Sequence, residues 1–227
     1  MERCVEPELL DDLPADDPLA VGSRRDLEKV NASMGNVRIM AGVLRGAGPR
    51  RLVEIGAGDG RFALSLARKL GERWRGSGIV LVDRANATRA ETRAAFERLG
   101  WRAETVRADV FDWIQKPPPE AYDAMVANLF LHHFSDAQLS ALFTAIAKSA
   151  RLFVAVEPRR SAFCFGFSRL LWMLGCNRVT RHDAPVSVRA GFAGQDLSRL
   201  WPDADGWMIE ERAAGWFSHL FVARRRA

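Results

Sequence analysis

From residue 51 to residue 158 the chain alternates short apolar runs with stretches of helical periodicity, and this alternation narrows the fold more than any other feature. RLVEI, SGIVLVD, AETVRAD, YDAMVANLF and RLFVAVEP read as strands; GRFALSLARKLG, NATRAETRAAFERLG and SDAQLSALFTAIAKSA read as helices among them. Strands apolar on both faces need cover on both faces, the condition met by a parallel sheet built from βαβ units. Beyond a short helical stretch at GQDLSRLW the rhythm changes. GWMIEERAA and WFSHLFVARRR follow each other with no room for a crossover helix, so they must pair antiparallel. The expected fold is α/β, a doubly wound, Rossmann-like, mostly parallel seven-stranded sheet with an antiparallel C-terminal hairpin.

Ahead of the sheet, Leu27, Val30, Met34, Val37, Ala41 and Leu44 recur at spacings of three and four. They form the stripe of an amphipathic helix with a start signal at Ser23 and a stop at Gly46, Gly48 and Pro49, weakened in the middle by Gly35 and Asn36. Residues 1–48 therefore read as an acidic head (Asp11, Asp12, Asp16, Asp17) and a helical cap. Residues 49–227 read as one domain with a substrate-side insertion at 158–192. A length of 227 residues with 48% hydrophobic content suits one well-buried core.

Composition limits the partners. The formal net charge of +5 comes from arginine, with Lys29, Lys69, Lys116 and Lys148 the lysines, and the charges are scattered apart from the acidic head and the basic Arg224, Arg225 and Arg226. No basic stripe with interleaved aromatics marks a nucleic-acid face. Cys4, Cys164 and Cys176 lack the spacing of a zinc knuckle or a disulfide framework, and no metal site is expected. No apolar run reaches the roughly 18–20 residues that span a bilayer, and no leader pattern opens the sequence, so a cytoplasmic protein is expected.

The chemistry concentrates at the first strand-to-helix turn, VEIGAGDGRF. In an open parallel sheet ligands bind beyond the carboxyl ends of the strands, commonly at this turn, where glycines let the backbone approach closely and the next helix offers free N–H groups. A dinucleotide fingerprint would place its third glycine at Arg61 and no carboxylate inside the turn, and the P-loop pattern is absent. Gly56, Gly58 and Gly60 around Asp59 better suit a ligand bearing an ammonium group beside a carboxylate, such as the methionine end of S-adenosylmethionine. Asp83, closing the second strand, is placed to accept ribose hydroxyls. Asp109, ahead of Val110, is placed to accept from an adenine amino group.

The ordered motifs VEIGAGDGRF, LVD, RADVFDW and ANLFLHHF resemble those of class I S-adenosylmethionine-dependent methyltransferases over roughly residues 50–157. The SRRDLEKVNASMGN lead-in and LHHF look most like small-molecule enzymes of the ubiquinone-biosynthesis or natural-product type. The resemblance implies that Glu54, Gly56, Ala57, Gly58, Asp59 and Gly60 line the methionine end. It also implies that Asp83, with Arg84 beside it, holds the ribose, that Asp109 and Val110 flank adenine, and that Asn128 and Leu129 pass beneath the sulfonium. The implied reaction transfers a methyl group to a small aromatic or apolar acceptor, with O-methylation of a phenol or quinol ahead of C-methylation. An RNA or DNA methyltransferase and a non-catalytic cofactor-binding partner protein are the alternatives.

His132, His133 and His182 are the candidate bases for an acceptor proton, while His219 in the last strand reads as structural. In the insertion, Phe163, Phe167, Leu170, Leu171 and Leu174 would form one helical face and Phe165, Trp172 and Cys176 the other. A helix apolar nearly all round reads as a lid over an apolar substrate, ahead of peripheral membrane contact supported by Arg159, Arg160, Arg178 and Arg181.

Overall fold

The computed structural model describes the chain except residues 15, 16, 49, 86, 87, 117, 119, 203 and 227, and except the side chains of residues 11, 27, 28, 31, 33, 172, 174 and 204. Asp16 and the Asp11 side chain of the acidic head, the Leu27 side chain and Pro49 of the N-terminal helix, and the Trp172 and Leu174 side chains of the insertion thus lie outside the described part.

Seven strands form one sheet: β1 (Arg51–Ile55), β2 (Gly78–Asp83), β3 (Arg102–Arg107), β4 (Ala124–Asn128), β5 (Leu152–Pro158), β6 (Trp207–Ala214) and β7 (Ser218–Arg225), in the order β3-β2-β1-β4-β5-β7-β6. The first five are parallel, and β7 pairs antiparallel with both β5 and β6. The helices are α1 (Leu9–Asp12), α2 (Pro18–Met34), α3 (Asn36–Ala47), α4 (Arg61–Leu70), α5 (Ala90–Arg98), α6 (Val110–Ile114), α7 (Asp136–Ser149), α8 (Ala162–Ser168) and α9 (Arg178–Ala190).

Successive strand residues face opposite sides, so each buried run feeds two cores. Leu52, Val126 and Val154 pack with Met40 and Leu44 of α3, Leu66 of α4 and Phe96 of α5. Val53, Met125 and Phe153 pack with Val110 of α6 and Leu142 and Phe143 of α7. Strand order reverses between β1 and β4, which opens a crevice at their carboxyl ends.

Local chemistry overrode three expectations. The N-terminal helix starts earlier, at Pro18, because the Asp17 side chain accepts from Leu19 N at 2.7 Å and proline is pre-set for the first helical position. Ser23 is instead buried within α2, 2.9 Å from the Thr180 hydroxyl. As the weakness at Gly35 and Asn36 anticipates, Gly35 divides the stripe into α2 and α3. The insertion is not one helix: α8 gives way to a short 3-10 turn at Leu171–Leu174, and Asn177 starts α9 by accepting from Thr180 N at 3.0 Å. Within it, Phe163, Phe167 and Leu170 are exposed while Cys164 and Leu171 are buried. GQDLSRLW holds only a 3-10 turn at Ser198–Leu200.

Candidate active site

The glycine turn sits at the carboxyl end of β1, facing the crevice. Gly56, Gly58 and Gly60 have φ of 69°, 54° and 77°, the left-handed region that other residues enter at a cost. Gly56 N and Ala57 N donate to Val82 O at 2.9 and 3.1 Å, which fixes the turn against β2. A methyl group at Gly56 would lie 2.2 Å from the Phe130 ring, whereas one at Gly58 would meet nothing within 4 Å. Phe130 therefore lies against one side of the turn while Gly58 stays open.

Carboxylates surround this turn. Asp83 accepts from Gly58 N at 2.8 Å and from Ala85 N at 2.8 Å, joining the end of β2 to the glycines. Asp59 accepts from Arg61 N at 3.1 Å and pairs with the Arg61 guanidinium at 3.1 Å. Glu54 is buried, with one carboxylate oxygen lacking any hydrogen-bond partner. Burial pushes its carboxyl well above the usual range, and the nearby charges of Asp83 and Asp59 add to that rise.

Asp109 caps α6 by accepting from Phe111 N at 2.8 Å, with Val110 buried behind it. An edge-on aromatic chain runs from Phe111 to Phe134 (5.2 Å between centroids) and on to Phe130 (5.0 Å), linking the Asp109 corner to the glycine turn. At the end of β4, Asn128 accepts from the Asn36 amide at 2.9 Å, and Asn36 accepts from Ser218 at 2.6 Å, so α3 and β7 hold this strand end. Leu129 follows with φ of 51°, a conformation rare outside glycine and concentrated where surrounding structure imposes it for function. Arg84 is exposed beside Asp83.

The structure brings His132 and His133 together and gives each a distinct state. Glu157, fully buried at the end of β5, accepts from Phe130 N at 3.0 Å, Leu131 N at 2.9 Å and His132 Nδ1 at 2.8 Å. Glu8 lies 3.6 Å from His132 Nε2. Burial opposes the charged form of His132, but hydrogen bonds and charge from Glu157 and Glu8 outweigh it and raise its pKa to about 9. The ring of His133 is 4.2 Å from that of His132. Burial, then the His132 charge, lowers the His133 pKa to about 4, so His133 is neutral where His132 is cationic. Glu8, His132 and His133 bring ligand-type atoms within 4.8 Å of one another. In its protonated form His132 has the Glu157 carboxylate at Nδ1 and the Glu8 carboxylate on its Nε2 side.

Glu8 reaches this place on a strap of N-terminal residues. Ser187 of α9 donates to Glu8, and Leu9 N and Leu10 N donate to Asp183 at 2.9 and 3.0 Å. Arg3 donates to Phe134 O at 2.7 Å and Asp136 at 2.7 Å. His182 has a different setting: it pairs with Asp183 at 2.9 Å but is half exposed, in a cavity shared with Arg169, Arg178, Arg181 and Pro185. His219 is buried and bonded to Glu211 at 2.7 Å. The sequence reading missed Glu8 and Glu157; an acid inside the apolar run FVAVEP was the one available signal for the second.

Residues 52–151 match the family profile of the methyltransferase domain. No curated protein matches the sequence. Among solved structures the chain is similar to an O-methyltransferase family protein from Burkholderia thailandensis (TM-score 0.65, 18% identity, 93% of this chain and 61% of that one). It is also similar to a provisionally assigned O-methyltransferase from Nostoc punctiforme (TM-score 0.64, 14% identity, 99% and 64%). A third likeness is to magnesium protoporphyrin IX methyltransferase from Synechocystis with bound S-adenosylhomocysteine (TM-score 0.57, 16% identity, 96% and 91%). The chain thus spans about three-fifths of the length of the first two. At these identities the likeness establishes the fold. Among the described residues no helix is long and apolar enough to cross a membrane.

Proposed function

Residues 52–151 are a methyltransferase domain on the class I fold, and from that premise we propose that the protein transfers a methyl group from S-adenosylmethionine to a small aromatic or apolar acceptor, O-methylation ahead of C-methylation. The observation that carries this reading is the buried Glu54 carboxylate, with an oxygen left unpartnered beside Asp59 and Asp83 at an open glycine turn. The charges of Asp59 and Asp83, beside a buried Glu54 carboxyl that a neighbouring cation would return to its charged form, suit a ligand whose sulfonium and ammonium groups are cationic and repel a pyrophosphate. S-adenosylmethionine supplies an electrophilic methyl group that needs no metal, since its leaving thioether is neutral.

The chain's own residues then divide the work. The N-terminal end of α4 receives a carboxylate, Glu54 and Asp59 favour the adjacent ammonium, and Asp83 and Asp109 take the ribose hydroxyls and the adenine amino group. Asn128 and the strained Leu129 hold the end of β4 at the transfer position. His133 is neutral and so accepts a proton or hydrogen bond from the acceptor's hydroxyl, whereas the cationic His132 fixes its position through ring contact. The strap and α9, joined through Glu8 and Ser187, form the acceptor side, in keeping with a substrate-side role for residues 158–192. Orientation of this kind is worth effective molarities of about 10⁵–10⁸ M.

Calorimetric titration with S-adenosylhomocysteine tests the reading: binding is expected, and Asp83→Ala is expected to weaken it at least about tenfold by removing a charge-assisted contact. No binding by the folded protein would overturn the proposal, and an unchanged affinity in Asp83→Ala would remove the ribose assignment.

A further inference from the structure

The face of α8 that the sequence would bury instead presents an exposed apolar surface. Phe163, Phe167, Leu170 and Met173 are between 41% and 66% exposed, and Trp216, in the β6–β7 turn, is 71% exposed. The aromatic members are contiguous. The Phe163 ring lies 5.6 Å from that of Trp216, 6.5 Å from that of Phe167 and 5.9 Å from that of Phe217, and Phe167 lies 4.7 Å from Phe217. Leu170 and Met173 continue the surface along the turn after α8. Isolated exposed apolar residues need no explanation, but a contiguous patch marks a surface that something covers.

The border of the patch identifies its chemistry. Arg169 falls between Phe167 and Leu170, and with Arg178, Arg181, His182 and Pro185 it lines a cavity of about 350 Å³. Among the described residues none of these three guanidinium groups has an acidic partner or a side-chain hydrogen bond. Asp183, the carboxylate nearest in sequence, is buried and taken by Leu9 N, Leu10 N and His182. Arg178 and Arg181 also lie in the first turn of α9, whose N-terminus favours anions. Exposed aromatic and aliphatic side chains beside uncompensated arginines, on a short amphipathic element, are the composition of a segment that lies in the bilayer interface. There the apolar groups enter the acyl boundary and the guanidinium groups meet lipid phosphates.

We propose that the surface formed by Phe163, Phe167, Leu170, Met173 and Trp216, with Arg169, Arg178 and Arg181 at its border, docks the protein peripherally on an anionic lipid bilayer. The lipid phosphate occupies the arginine-lined cavity. This inference can be tested apart from methyl transfer, because none of its residues belongs to the glycine turn or to the β2, β3 and β4 ends assigned to the cofactor. Its consequence is nonetheless favourable for an apolar acceptor: the strap side of the site would open near the membrane in which such a molecule dissolves.

Flotation with vesicles tests it, comparing pure phosphatidylcholine with phosphatidylcholine containing phosphatidylglycerol. The full chain is expected to float with the anionic vesicles only, to detach as salt rises, and to show a blue shift in tryptophan emission that Trp216→Phe removes. Phe163→Ser/Met173→Ser and Arg178→Glu/Arg181→Glu should each reduce partition more than about tenfold, the second through loss of attraction to lipid phosphates, with S-adenosylhomocysteine affinity unchanged. Absence of flotation with folded protein would overturn the proposal, as would equal flotation on neutral vesicles. So would self-association through the patch without vesicle binding, which would assign the surface to a second copy of the chain.

Discussion

Replacing Gly56 by alanine separates two physical effects that the glycine turn combines. At φ of 69° an L-residue is strained, and the left-handed region costs such a residue roughly 1–2 kcal/mol. The new methyl would also stand 2.2 Å from Phe130, well inside van der Waals contact, and overpacking of that kind typically adds about 1–3 kcal/mol. Gly58, at φ of 54°, meets nothing within 4 Å, so alanine there brings only the backbone term. For a chain of this length about 1 kcal/mol moves the melting temperature by roughly 2–4 °C. Gly58→Ala is therefore expected to lower it by about 2–8 °C, and Gly56→Ala by a further 2–12 °C or so. Circular-dichroism melts of both variants measure the difference, and a double-mutant cycle with Phe130→Ala assigns it, because the extra cost of Gly56→Ala should largely vanish once the ring is gone. Equal melting temperatures for the two single variants would refute the contact between Phe130 and the turn.

The two adjacent histidines should respond in opposite ways. His133→Ala is expected to lower kcat by about 10²–10⁴-fold while barely moving the melting temperature. His132→Ala should instead destabilise by roughly 3–5 kcal/mol, because Glu157 and Glu8 lose the cation between them; matching effects on turnover and stability would collapse the distinction. The native state holds the His132 proton up to about pH 9, while the unfolded chain releases it near 6.5. Native protein thus binds more protons in that window, so this contribution is complete below pH 6.5 and is lost as pH rises toward 9. Urea unfolding at successive pH values should show that decline, and Glu8→Gln should flatten it; a stability profile equally steep in the variant would detach Glu8 from the pair.

The central strands β1, β4 and β5 were legible because burial on both faces leaves no alternation to confuse with a helix, and the hairpin was legible because a short connection permits one pairing. Helix starts were read less well. Asp17–Pro18 and Asn177 are capping signals in segments whose polarity resembled ordinary loop. The site divided along the same line. Gly56, Gly58 and Asp109 shape their own turns and Asp83 closes its own strand, so local spacing singles them out as candidates. Glu8 and His132 meet across more than a hundred residues, and an acid in a charged N-terminal stretch looks solvated until α9 and the end of β4 are placed beside it. The insertion was read as one helix because its apolar residues recur at helical spacings, and only the fold shows the break at Leu171–Leu174 and which face its neighbours cover.

The strand that comes last in the sheet's chain order is not at its edge. β7 lies between β5 and β6, although β6 is made first. A chain leaving the ribosome therefore presents β5 and β6 before the strand that must separate them, and pairing those two directly would be a trap rather than a step. Every native hydrogen bond of β6 to the sheet waits for residues 218–225, so the growing chain carries an unfilled slot beside β5 until those residues arrive. Long-range pairing of this kind slows folding and exposes unpaired strand edges. Vectorial synthesis would thus leave the distal sheet edge, with Trp207 and Trp201 beneath it, as the last part of the core to close.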